Sequence, residues 1–275
     1  MPVRDILLPL VGESSRTTIA AMEKCVAMAC GLDARVTALA IETEDVAPPS
    51  VADVLGTADI VQTEPTARAL LGAFASAAKK NSFRSEQKLE RATRAATIDA
   101  VVMQARLNDL SIALVKAADS FSEKLVERLL FETGRPVLMC PQDRTDSLDT
   151  TFEEVVIAWD HTAPAARAVG DALPLLKRAS RVRILTAVDK GSEAQLASGA
   201  ALQRHLSQHD IASAFETVAI DGSSVGKVFE HYVEKHAIDL LVMGGFRHSR
   251  LNEHIWGGVT STVINQPPCW VMLSH

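Results

Sequence analysis

"FEEVVIAWDHTAPAARAVGDALPLLKRASRVRILTAVDK" runs from Phe152 to Lys190. It opens with an apolar run and passes through a polar turn. A segment with apolar residues at helical spacing follows, and a second apolar run closes it. That order predicts strand, helix, strand. The same order stands near the start of the chain, in "VRDILLPLVGESSRTTIAAMEKCVAMACGLDARVTALAIE", Val3–Glu42. The ends of the two copies agree as well. "ETGRPVLMCP" (Glu132–Pro141) parallels "NQPPCWVML" (Asn265–Leu273), each a short apolar strand led by proline. Between them, "QDRTDSLDT" (Gln142–Thr150) is polar and turn-forming and reads as a linker. The chain therefore holds one α/β unit twice, with domains expected over residues 1–143 and 152–275.

In the second copy the pattern predicts strands at Val155–Trp159, Arg181–Val188, Ala214–Ala219, Asp239–Met243 and Cys269–Leu273. Helices are expected at Ala163–Arg178, Glu193–His209, Ser223–Lys235 and Gly258–Asn265. Strands alternating with helices imply a parallel sheet covered on both faces. The fold class is thus α/β, two repeated doubly wound domains, each with five parallel strands in the order 3-2-1-4-5. The first copy is less regular. Its "EQKLERAT" (Glu86–Thr93) reads as a polar third strand or as helix. The closing strands, Pro136–Cys140 and Cys269–Leu273, would be apolar sheet edges, an aggregation hazard if left unpaired. Antiparallel pairing of the two would join the copies as a pseudo-dimer.

Composition excludes several classes. Nearly half of the 275 residues are apolar (47%), enough for a sizeable core. The net charge of −6 comes with both signs interspersed, and no basic block suits nucleic acid. No apolar run approaches the roughly 20 residues needed to cross a bilayer. The stretch "MPVRDILLPL" does not have the pattern of a secretory signal. Cys25, Cys30, Cys140 and Cys269 have no redox or zinc spacing and read as reduced core thiols in a cytoplasmic protein.

A doubly wound sheet binds ligands beyond the carboxyl ends of its strands, where the strand order reverses. In the second copy that point lies between "AWDHT" (Ala158–Thr162) and "MGGFRHSRLNEHIWGGVTST" (Met243–Thr262). Asp160 at a strand end suits the hydroxyls of a ribose, though by position alone the cap of the next helix is the commoner role. Gly257 and Gly258 precede a helix start, whose free N–H groups attract anions, or merely end a loop.

These residues resemble the universal stress proteins in their tandem-domain form. Nucleotide-binding members carry Gly-x2-Gly-x9-Gly-Ser/Thr after strand four. On this sequence the pattern falls on Gly244, Arg247, Gly257 and Gly258. Arg247 and Gly258 depart from it. An outward guanidinium at Arg247 would meet a triphosphate, and an inward one would fill its place. The resemblance implies ATP or another adenine nucleotide in the second domain and leaves magnesium open. Asp160 would meet the ribose and the backbone at Ala187 the adenine. Ala158, Met243, Gly244, Arg247, Gly257, Gly258, Val259 and Thr260 would line the rest. It implies a role as a stress sensor or regulator, with homodimers allowed. The first domain is degenerate by the same measure. Val11 stands where Asp160 does, and "LSIALVKAADSFSEKLVERLLFE" (Leu110–Glu132) has no glycine.

The alternative is an interaction module of the same fold without nucleotide. An enzyme is disfavoured. The chain lacks the P-loop motif Gly-x4-Gly-Lys-Ser/Thr and the Gly-x-Ser-x-Gly elbow. His248, Glu253 and His254 lack the spacing of a zinc protease, and His231 and His236 share no helix face. His205 and His209 lie four apart on an expected helix, better read as a solvated face than as a metal site. No catalytic or metal-binding residue is assigned.

Overall fold

The computed structural model describes residues 2–12, 14–44, 66–143, 151–188, 193–220, 222–245 and 258–275. In the first half the elements are β1 (Asp5–Leu10), α1 (Arg16–Gly31), β2 (Arg35–Glu44), α2 (Thr66–Asn81) and β3 (Ser85–Thr93). They continue as α3 (Thr97–Ala105), β4 (Leu110–Val115), α4 (Ser120–Glu132) and β5 (Val137–Pro141). The second half holds β6 (Glu154–Ala158), α5 (Ala163–Leu176), β7 (Arg181–Val188), α6 (Glu193–Ser207) and β8 (Ser213–Ala219). It closes with α7 (Val225–Lys235), β9 (Leu240–Gly244), α8 (Gly258–Asn265) and β10 (Trp270–Ser274). The ambiguous polar segment is a strand: β3 pairs parallel with β2 over its whole length. Its alternation of charged and neutral residues serves an edge, where only one neighbour is available.

All ten strands form one sheet, ordered β3-β2-β1-β4-β5-β10-β9-β6-β7-β8. Each half follows the expected 3-2-1-4-5 order. Every adjacent pair is parallel except β5 and β10, which meet antiparallel with Val271 opposite Met139 and Leu273 opposite Val137. Those side chains, with Leu138 and Met272, have no solvent exposure. Burying one such side chain is worth roughly 1.5–3 kcal/mol, so six of them close two edges that water would otherwise face. The junction makes the two cores continuous. Ile6, Leu8, Val155 and Ile157 belong to the apolar cluster on one face of the sheet, and Leu7 and Val156 to the other. Both faces are covered, which is why these strands read as unbroken apolar runs.

The duplication extends to single hydrogen bonds. Asp109, just before β4, accepts from the Arg4 and Asp5 amides through Oδ2 at 2.9 and 3.1 Å. Asp239, just before β9, accepts from the Glu153 and Glu154 amides through Oδ2 at 2.9 and 2.8 Å. Each aspartate ties the start of the fourth strand to the start of the first. Among the described residues no helix is long and apolar enough to cross a membrane.

Candidate functional site

A cavity of about 330 Å³ lies beyond the carboxyl ends of β6, β7 and β9. That size falls within the range of small-molecule sites. Ala158, Trp159 and Asp160 come from the end of β6, and Ala187 from the end of β7. Met243 and Gly244 come from β9, and Gly258, Val259 and Thr260 from the first turn of α8. Two further residues, Val225 and Phe229 of α7, complete an apolar wall. Sequence reading missed this pair because an i, i+4 apolar spacing signals a core face. Here that face covers both core and cavity.

The turn after β6 is held by three long-range contacts. The Trp159 amide donates to the Leu185 carbonyl at 2.9 Å. The Thr186 hydroxyl donates to the Trp159 carbonyl at 3.0 Å. The buried indole Nε1 of Trp159 donates to Ser198 Oγ on α6 at 2.8 Å. The chain then turns sharply, with His161 at φ 66°. Asp160 does not cap the following helix. Thr162 does, its Oγ1 accepting from the Ala165 amide. Asp160 Oδ1 in turn accepts from the Thr162 amide at 3.1 Å and hydroxyl at 2.6 Å. Its Oδ2 has no partner among the described residues, and the residue is exposed at the cavity rim. One oxygen thus orients the carboxylate and the other is left without a partner among the described residues.

The glycines divide by role. A Cβ on Gly244 would lie 2.5 Å from Ala165 N and 2.6 Å from the Pro164 carbonyl carbon. A Cβ on Gly245 would meet Leu130 Cδ2 at 2.5 Å. This pair is glycine so that β9 can pack closely against α5 and against α4 of the first half. Gly258 has open space around its Cβ position. The Gly258 and Val259 amides open α8, where a helix start supplies no acceptor of its own. Arg247 and Gly257 lie outside the described residues, as do His248, Glu253 and His254. Thr260 is fully buried and lines the cavity.

The corresponding place in the first half is built differently. Only four residues, 116–119, connect β4 to α4, against thirteen, 245–257, between β9 and α8. Each of those four amides already has an acceptor. Lys116 donates to Ser122 Oγ, Ala117 to Asp143 Oδ2, Ala118 to the Asn265 carbonyl and Asp119 to the Lys116 carbonyl. The Asn265 carbonyl comes from the second half, so the pseudo-dimer contact itself occupies a donor there.

The other candidates resolve simply. His205 and His209 stack edge-on at 4.9 Å, but the helix ends at Ser207, so they do not share a helical face. His236 packs on Tyr232 at 4.2 Å. Among the described residues no group of three or more metal-ligating side chains is gathered. Cys25, Cys140 and Cys269 are buried as expected, whereas Cys30 is partly exposed at the end of α1.

Comparison with known proteins follows the same division of the chain. Over its whole length the structure is similar to a universal stress protein from Archaeoglobus fulgidus, with TM-score 0.71, 14% identity and coverage of 100% and 99% of the two chains. It is also similar to a Pseudomonas aeruginosa protein described as a universal stress protein, with TM-score 0.60, 12% identity and coverage of 99% and 93%. At such identities the likeness concerns the fold. No curated protein matches the chain in sequence. Residues 151–275 match the model of the Universal stress protein family, so the second half, which holds the cavity, is a domain of that family.

Proposed function

We infer that the second half binds one adenine nucleotide, ATP or a shorter form of it, and that the chain works as a nucleotide-dependent regulator in stress response. The observation that carries this reading is a convergence. Of the ten residues named from the resemblance, eight line one 330 Å³ cavity, and the other two, Arg247 and Gly257, lie outside the described residues. The chemistry of the lining suits each part of the ligand. Val225, Phe229 and Met243 offer an apolar wall for a base, with Ala187 also in the lining. Asp160 holds Thr162 through Oδ1, which leaves Oδ2 to accept from a ribose hydroxyl. The amides of Gly258 and Val259, which open α8, offer donors and the positive end of a helix dipole to phosphate. The first half, with its short turn and satisfied amides, would stay empty, and its part is to cover the shared sheet edge. A cytoplasmic location fits four cysteines that form no disulfide.

Calorimetry of the full chain with ATP, ADP and AMP tests this. The expected stoichiometry is one per chain. Asp160→Ala should weaken binding by about 1–3 kcal/mol, the cost of an unpaired hydroxyl. Two equal sites, or loss of binding on substitution of Val11, would refute the asymmetry. No binding of any of the three would leave an interaction module as the better description.

A further inference from the structure

The two outer edges of the sheet are not alike. At one end, β3 carries Glu86, Lys88, Glu90 and Arg91 in nine residues, with Glu86 and Arg91 ion-paired to neighbours on β2. Charges of this kind protect an edge from further pairing. At the other end, β8 has the sequence Ser-Ala-Phe-Glu-Thr-Val-Ala, with one charge, Glu216. That carboxylate is already engaged by the Tyr232 hydroxyl at 2.6 Å and by Arg183 at 3.6 Å. The outer edge of β8 has no strand partner among the described residues.

Beside this open edge lies a groove of about 600 Å³ between β8 and α7. Val218, Ile220 and Val228 supply its apolar lining, and Lys227, His231 and Lys235 rise along one side. These three are exposed, and none has an ion-pair partner among the described residues. They stand four residues apart on one helix, so successive heads are spaced by about 6 Å along the axis. An extended chain presents every second side chain on one face, about 6.6–6.8 Å apart. The two spacings match closely.

We propose that the β8 edge and the Lys227–His231–Lys235 row form a docking surface for an extended acidic peptide, which adds to the sheet as an eleventh strand. Its backbone pairs with β8. Its alternate side chains are carboxylates facing the row, interleaved with residues facing away. This site is separate from the nucleotide cavity and does not rest on that reading.

The test is fluorescence anisotropy of the full chain with a labelled octapeptide of alternating glutamate and valine. Saturable binding is expected, weakening as salt rises. The double variant Lys227→Glu, Lys235→Glu, both on exposed positions, should retain its melting temperature and lose roughly tenfold or more in affinity. A lysine–valine octapeptide should not bind. A glutamate–proline octapeptide keeps the charge but lacks alternate amide donors, and should bind much more weakly. Equal binding of the glutamate–proline peptide would reduce the surface to charge attraction and overturn strand addition. No binding of the glutamate–valine peptide, or an unchanged double variant, would overturn the proposal. So would a concentration-dependent dimer abolished by the double variant, which would make a second copy the occupant.

Discussion

Gly244→Ala is the sharpest test of how the site is assembled. The added Cβ would sit 2.5 Å from Ala165 N, 0.9 Å short of the 3.4 Å at which ordinary contact begins. It would also sit 2.6 Å from the Pro164 carbonyl carbon. Both are backbone atoms in the first turn of α5, so no side-chain rotation relieves the clash. The helix start must move away from β9, and with it Thr162 and the Asp160 carboxylate that Thr162 holds. Overpacking of this kind costs about 1–3 kcal/mol or somewhat more. Taking roughly 2–3 kcal/mol and about 2–4 °C per kcal/mol for a chain of this size, the melting temperature should fall by about 4–12 °C. Gly258→Ala is the matched control. Its Cβ meets nothing within 4 Å, and its backbone is not left-handed. Alanine there should stabilise the start of α8 by up to about 1 kcal/mol. Differential scanning calorimetry of the two variants reads both signs. A melting temperature for Gly244→Ala within a degree of the parent would mean that β9 and α5 do not pack as described. A loss at Gly258 as large as at Gly244 would mean that α8 is not formed as it stands here.

The remaining expectations use other parts of the molecule. Trp159→Phe leaves Ser198 Oγ buried without its indole donor and should cost about 1–3 kcal/mol in urea unfolding. Ser198→Ala in the same background should add little, and full additivity would refute the coupling. Tyr232 is the chain's one tyrosine, so its ionisation can be followed alone by absorbance at alkaline pH. Burial, and then the hydrogen bond to Glu216, push its pKa above the ordinary phenol value. The raised folded pKa means that Tyr232 stabilises the fold below pH about 10 and that this contribution declines as pH rises beyond it. Half-ionisation at or below pH 10 in the folded protein would contradict that. Cys30 alone should react rapidly with a thiol reagent in the native state, because Cys25, Cys140 and Cys269 are buried and burial also raises the Cys25 pKa. Rapid modification of two or more thiols would count against the packing around α1 and β5.

Much of this protein was legible in one dimension. Apolar runs and helical spacing identify βαβ units at Val3–Glu42 and Phe152–Lys190 because burial on both faces of a parallel sheet leaves a local mark. The alternation of strands and helices implies a doubly wound sheet, whose 3-2-1-4-5 order puts the reversal between strands one and four, and Asp160 and Gly258 meet there at one cavity. The apolar closing strands announced their own pairing, since an edge of that composition must be covered. Other features depended on partners far away in sequence. Whether Gly244 and Gly245 cradle a ligand or allow close packing is decided by Pro164, Ala165 and Leu130, none of which is a sequence neighbour. The β3 segment is polar, so its periodicity left helix and strand open. Its parallel ladder with β2 settled it. Asp239 reads as the first residue of a strand and Asp109 as an ordinary polar residue until the first strand of each half presents two amides to each of them. The closure of the first-half turn depends on a carbonyl of Asn265 in the other half. Periodicity records which face of an element is buried, and only the assembled sheet determines what it is buried against.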